Sequence, residues 1–249
     1  MSSAREFYDR LADDYDRIFP DWDASMRYQA SVLDRLIAAP GSTILDCSCG
    51  IGTQAIGLAA LGHRVTGTDI SPLAVARARR EAAARSLTLP AAAADMRALP
   101  FAASTFDVVL CADNSLAHLL TPDDVVTALG QMRRVLAPGG LLVLTRRDYD
   151  PDRADHPRFS PPQVSDRDGR RSITFQLWHW HDDGAHYDVE HFQLHGDADR
   201  WRTECRRTTS WALTRAELSE LAARAGLDAL TWHDPADSGY YQQVITARA

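Results

Sequence analysis

Thr43-Ile44-Leu45-Asp46-Cys47-Ser48-Cys49-Gly50-Ile51-Gly52-Thr53-Gln54 decides the fold. A short apolar strand ends in an acid, turns through two glycines and opens a helix. Gly50 and Gly52 carry no Cβ to hold a bound molecule off the backbone, and glycine reaches dihedrals that other residues adopt only at a cost. The free N–H groups of the following helix face the same spot, so a ligand belongs at this turn.

Downstream the pattern repeats. The helix around residues 54–61 stops at Gly62, and Arg64 to Asp69 reads as a second strand ending in an acid, which completes a βαβ unit. Asp69 stands where a carboxylate accepts hydrogen bonds from a ribose diol. Ser71-Pro72 caps a helix over 72–86. Leu87 to Ala94 gives a third strand, closed by Asp95-Met96. Phe106 to Cys111 gives a fourth, leading into Ala112-Asp113-Asn114-Ser115-Leu116-Ala117-His118. Thr121-Pro122 caps a helix to about Leu136, and Pro138-Gly139-Gly140 turns into a fifth strand, Leu141 to Thr145. Strands alternating with helices predict a doubly wound parallel α/β sheet with ligands at the carboxyl ends of its strands. Asp46, Asp69, Asp95, Asn114 and Arg147 all fall at or just past such ends.

Upstream, Tyr8, Leu11, Tyr15, Ile18 and Phe19 recur at helical steps, predicting an amphipathic helix over Glu6 to Phe19. Pro20-Asp21-Trp22-Asp23 breaks it, and a second helix runs to the Pro40-Gly41 stop. From residue 146 to 211 the pattern changes to alternating runs. Ser172 to His181, a hairpin turn at Asp182-Asp183-Gly184, Tyr187 to His195 and a segment around Trp201 to Cys205 predict a small antiparallel sheet. This insertion should cap the open end of a core formed by residues 1–145 and 212–249. Thr214-Arg215-Ala216-Glu217 is a capping box for the helix ending at Gly226. Trp232 and Tyr240 to Thr246 then suggest two closing strands.

The 249 residues are 45% hydrophobic, enough for one ample core. A net charge of −7 with no basic tract argues against nucleic acid or an anionic membrane as partner and points to small molecules. Cys47, Cys49, Cys111 and Cys205 show neither C-x-x-C spacing nor a disulfide framework, and Met1-Ser2-Ser3 begins no apolar signal segment, which implies a reduced, cytoplasmic setting. His179, His181, His186, His191 and His195 crowd the insertion. His179 and His181 share a strand face, yet no cysteine completes a familiar spacing, and no metal is expected.

Gly50, Gly52, Ala55 and Asp69 also satisfy the glycine turn of a dinucleotide fold. The Asp46 turn, Asp69, Asp95-Met96 and Leu136-Ala137-Pro138-Gly139-Gly140-Leu141-Leu142 together resemble the class I S-adenosylmethionine-dependent methyltransferases, with Ser48 where the family's first turn glycine stands. The resemblance implies a Rossmann-like seven-stranded sheet with its last strand antiparallel. It also implies S-adenosylmethionine as cofactor and S-adenosylhomocysteine as product. Asp113 to Leu119 and Arg146-Arg147-Asp148-Tyr149-Asp150 are similar to glycine N-methyltransferases and related small-amine enzymes, although Asp113 replaces the usual glycine. From that similarity, Asn114 and Arg147 should hold a substrate carboxylate, with His118 and Tyr240 also in the catalytic set. Cofactor contacts are implied for Tyr15, Trp22, Arg27, Asp46, Cys47, Ser48, Gly50, Gly52, Asp69, Ile70, Asp95, Met96, Ala112 and His118. The expected reaction is methyl transfer to a small carboxylate-bearing amine. An O-, C- or heteroaromatic N-methyl acceptor, a non-catalytic cofactor-binding protein, and assembly as a homo-oligomer all remain open.

Overall fold

The computed structural model describes residues 2–167, 170–197 and 200–249. Its central sheet contains β1 (Thr43–Asp46), β2 (Arg64–Asp69), β3 (Ala91–Ala93), β4 (Phe106–Cys111), β5 (Leu136–Arg146), β10 (Thr231–His233) and β11 (Gln243–Arg248), in the order β10-β11-β5-β4-β1-β2-β3. β1 to β5 run parallel to one another, and β11 runs antiparallel to both β5 and β10. The sheet thus matches the seven-stranded expectation.

Helices cover both faces. α2 (Trp22–Ile37), α3 (Thr53–Ala60) and α4 (Pro72–Ala84) bury Leu33, Ile56 and Ala78 with Ile44 and Leu110 on one side. α5 (Pro122–Val135) and α7 (Arg215–Arg224) bury Leu129, Met132 and Leu218 with Leu45 and Val109 on the other. Successive residues of β1 and β4 supply opposite cores, as a strand covered on both faces must. Leu45 and Leu129 are fully buried, and truncating either to alanine removes about 2–5 kcal/mol.

A second sheet holds β6 (Gln163–Arg167), β7 (Arg170–Trp180), β8 (His186–Asp197) and β9 (Arg200–Trp211), all antiparallel. The sequence predicts three strands here and misses β6, whose one branched apolar residue, Val164, is exposed at an edge. It also misses the short helix α6 (Asp150–Asp155). β9 is longer than expected because Arg206 is buried among partners instead of ending the strand in solvent.

The N-terminal helix is shorter than its periodicity predicts. α1 (Ala4–Leu11) stops, and a single 3₁₀ turn, Tyr15–Ile18, follows. Distant side chains cap the carbonyls freed by the break: Arg206 Nε donates to Arg10 O at 2.8 Å, Arg77 to Ala12 O at 2.7 Å and Gln193 to Asp14 O at 3.1 Å. β3 is likewise short, because Ser86 takes a left-handed conformation and Pro90 lacks a ladder donor. α8 (Pro235–Ser238) links the two closing strands.

Candidate active site

Two cavities open at the carboxyl end of the parallel strands. The first, about 360 Å³, is lined by the turn after β1 together with Asp69, Ile70, Asp95, Met96 and His118. Gly50 has φ +50°, and a Cβ there would enter open space. Gly52 has φ +97°, and a Cβ would sit 2.6 Å from Ile56 Cδ1. The first glycine therefore leaves room for a ligand, and the second lets the helix pack.

Asp69 Oδ2 accepts from the Gly50 N–H at 2.8 Å and Oδ1 from Ser71 N–H at 2.9 Å. Burial raises its pKa against those hydrogen bonds. Asp46 lies beneath the turn, wholly buried and off the cavity wall. Its Oδ1 accepts from Ser48 N–H, its Oδ2 has no partner among the described residues, and burial pushes its pKa up to about 8. At the far end Arg97 donates to Asp95 at 2.6 Å and to Asp124 at 2.7 Å, and so holds Asp95 below the usual carboxylate range.

The second cavity, about 1130 Å³, lies between the parallel sheet and the inner face of β7, β8 and β9. Tyr8, Tyr15, Asp113 and His118 line both cavities, so the two meet there. His118 Nε2 bonds the Tyr8 hydroxyl at 2.7 Å, and burial pushes the ring pKa down to about 4, leaving it neutral at pH 7. Asp113 and Asn114 both adopt left-handed backbone, at φ 54° and 65°. Thr145 fixes this corner by accepting the Asp113 N–H on its hydroxyl at 2.8 Å and the Asn114 N–H on its carbonyl at 3.2 Å.

Several expected site residues lie elsewhere. Trp22 is buried below the turn, its indole donating to Thr53 Oγ1 at 2.9 Å, and Arg27 is exposed; neither lines either cavity. Gly52 and Ala112 also lie off the walls, and the Ala112 carbonyl is taken by Ser115. Tyr240 is buried behind the site, donating to Gln29 at 2.6 Å. Tyr15, Cys47, Ser48 and Gly50 do line the first cavity.

The two residues expected to hold a carboxylate both have protein partners. Asn114 and Arg147 both reach the second cavity, but Asn114 Nδ2 donates to the Tyr149 hydroxyl at 2.6 Å and its Oδ1 accepts from Arg147 N–H. The Arg147 guanidinium pairs with Asp152 at 2.7 Å and stacks 4.2 Å from the Trp178 ring. The pairing with Asp152, five residues away, was available in the sequence as a charge partner; the stacking on Trp178 was not.

Among the insertion's histidines, His179 faces Glu190 at 3.6 Å and His181 faces Asp188 at 3.1 Å. His195 comes together with Asp14 and Glu204, ligand atoms within 4.8 Å of one another. Arg206 already bonds Asp14 at 3.0 Å and Arg17 bonds His195 at 3.0 Å, so guanidinium charge fills the place of a cation.

The fold and turn form a doubly wound domain with a cavity at the carboxyl ends of its parallel strands. Residues 44–140 match the family model described as a methyltransferase domain. Glycine/sarcosine N-methyltransferase of Parasynechococcus marenigrum is 34% identical over 148 residues, 59% of this chain and 52% of that protein. The chain spans about half the length of that relative. CalS10, an amino pentose methyltransferase from Micromonospora echinaspora solved with S-adenosylmethionine bound, superposes with a TM-score of 0.72 at 24% identity, covering 90% of this chain and 91% of that one. CcbJ methyltransferase from Streptomyces caelestis superposes with a TM-score of 0.76 at 21% identity, covering 98% and 97%. Residues 44–140 are thus similar to a methyltransferase domain, and the chain as a whole shares the fold of solved methyltransferases, one of them solved with S-adenosylmethionine bound. Among the described residues, no helix is long and apolar enough to cross a membrane.

Proposed function

We propose that this chain transfers a methyl group from S-adenosylmethionine to the amine nitrogen of a hydroxyl-rich small molecule. The second cavity carries this reading. Its volume of about 1130 Å³ exceeds the roughly 300–1,000 Å³ that holds a drug-sized ligand, and glycine would fill little of it. Ser160, Thr174, Gln176, Thr208 and Ser210 supply neutral hydroxyls and amides, and Tyr8, Phe19 and Tyr187 supply aromatic surface. That combination suits a ring bearing several hydroxyls. The relative named as an amino pentose methyltransferase supports the same class of acceptor.

In the first cavity, Asp69 would take the ribose hydroxyls and Asp95 with Met96 would flank the adenine, while the open space at Gly50 admits the methionine end. When bound, the cofactor supplies a methyl group already activated on a sulfonium. The protein's work is then placement and exclusion of water, a proximity effect. Tyr8, Tyr15, Asp113 and His118 stand where the cavities join, so the acceptor nitrogen must arrive among them. The β7 to β9 sheet closes this junction as a cap contributed by residues 146–211.

An initial-rate screen over amino sugars, aminocyclitols, amino acids and phenols tests the proposal. Hydroxylated amines should give the highest kcat/KM; preferred methylation of glycine, sarcosine or a phenol overturns it. A carboxylate-bearing amine is the competing reading, favoured by the position of Arg147 on the cavity wall. It requires the guanidinium to leave Asp152, and Arg147→Lys would then raise the acceptor KM roughly ten-fold through loss of the bidentate fork.

A further inference from the structure

Asp113 is set apart from the chain's other partly buried acids. Asp14, Asp16, Asp95 and Asp152 each face an arginine, and Asp69 is held by backbone N–H groups. Asp113 has only neutral donors: Gln54 Nε2 reaches Oδ2 at 2.8 Å, and the Tyr240 hydroxyl, at 3.4 Å, and the Tyr241 hydroxyl both reach Oδ1. No arginine, lysine or histidine pairs with it among the described residues. Its backbone is held left-handed, so the carboxylate stands in the wall shared by the two cavities. The corresponding position in the small-amine enzymes that the sequence resembles is usually glycine, which tolerates that dihedral but offers no charge.

We propose that Asp113 receives the acceptor as an ammonium ion, takes its proton, and thereby selects cationic amines that carry no anionic group. This rests on the amine reading above. Asp113, Asp148, Asp150 and Asp234 line the acceptor cavity with Arg147 and Arg215; Asp148 and Asp150 pair with Arg146 at 3.1 and 2.7 Å, while Asp113 and Asp234 accept from neutral side chains. Arg147 is neutralised by Asp152, and Arg215 lies over the Trp232 ring. A phosphorylated or carboxylated acceptor whose amine sits at the cavity junction would bring its anion toward the carboxylate of Asp113, which only neutral side chains hold.

The proton bookkeeping closes. The ammonium N–H bond breaks and its proton passes to Asp113, which becomes a neutral carboxylic acid. The freed nitrogen lone pair forms the new N–C bond as the methyl C–S bond breaks, and the C–S electron pair stays on sulfur as a neutral thioether. Asp113 returns its proton to solvent after product leaves. Burial raises the Asp113 pKa against its three hydrogen bonds, which makes it the better proton acceptor. His118, already bonded to Tyr8, is held neutral with a pKa pushed down to about 4 and accepts a proton poorly. The other titratable groups around Asp113 are Tyr8, Tyr15, Tyr240, Tyr241 and Asp46. Burial raises the pKa of all five, so the phenols remain neutral donors.

The test uses the full chain and its Asp113→Asn variant, which keeps a side chain that tolerates left-handed backbone. Calorimetry on protein saturated with S-adenosylhomocysteine measures binding of glucosamine, an aminocyclitol, glucosamine 6-phosphate and glycine. The wild type should bind an unphosphorylated hydroxylated amine at least about ten-fold tighter than its phosphorylated form, and the variant should lose about ten-fold in affinity for it. The variant's methylation rate should also follow ionisation of the free amine, rising to higher pH than in the wild type. Unchanged amine affinity in the variant, equal binding of the phosphorylated amine, a loss confined to S-adenosylhomocysteine affinity, or no binding of any amine overturns the proposal. Methyl transfer to oxygen or carbon instead breaks the function proposed above, so the two failures are distinguishable.

Discussion

The two cavities are built on opposite plans. The cofactor cavity is largely backbone: a turn, its following helix and the ends of adjacent parallel strands, most of it within residues 47–97. The acceptor cavity is largely side chains, gathered from α1, the 3₁₀ turn, the loop after β5, all four strands of the second sheet and the segment before β11. A turn of fixed dihedrals has one solution and tolerates little change. A wall of independent side chains can be altered one group at a time, which lets one fold serve many acceptors.

That contrast is open to attack in order of expected effect. Gly52→Val should destabilise the protein by about 3–5 kcal/mol, because a left-handed backbone and a 2.6 Å approach to Ile56 are both penalised. Denaturant midpoints measure it, and a shift under about 1 kcal/mol would show that the turn is not rigid. His118 gives the next effect. Unfolded, its ring takes a proton near 6.5, whereas folded it resists to about 4, so stability falls as pH drops through that interval by at most about 3 kcal/mol. His118→Asn should flatten that part of the stability profile; an unchanged slope would place the loss elsewhere.

Asp69→Ala should raise the Kd for S-adenosylmethionine by roughly ten-fold or more, since charge-assisted hydrogen bonds are worth about 1.5–3 kcal/mol each. The acceptor KM should change little. Thr208→Val, in the second sheet's wall, should leave cofactor affinity and folding nearly intact and raise acceptor KM only a few-fold, the worth of about one neutral hydrogen bond. Equal damage to both ligands from either substitution would dissolve the distinction between the cavities.

The same contrast explains what was legible in the sequence. Gly50, Asp69, Asp95 and Met96 sit in a local strand-turn-helix grammar, and the structure puts them along one cavity. The early end of α1 was not legible, because it depends on Arg206 bonding a carbonyl 196 residues away. Tyr8 shows in the sequence only as one position of a helical apolar stripe, since nothing local says that its hydroxyl meets His118. Asn114 and Arg147 were found as residues but not as a pair of free groups, because their partners Tyr149, Asp152 and Trp178 arrive through the loop and the insertion. Asp113 stood out only as a missing glycine, and its φ of 54° shows why glycine is the easier residue there.

The central claim is that an amine nitrogen meets the methyl group at the junction of Tyr8, Tyr15, Asp113 and His118. Trideuteromethyl-labelled S-adenosylmethionine, turned over with a hydroxylated amine and followed by fragmentation mass spectrometry, locates the transferred group. The account predicts the label on nitrogen, with all hydroxyls unmodified; label on a hydroxyl oxygen or on carbon would contradict it.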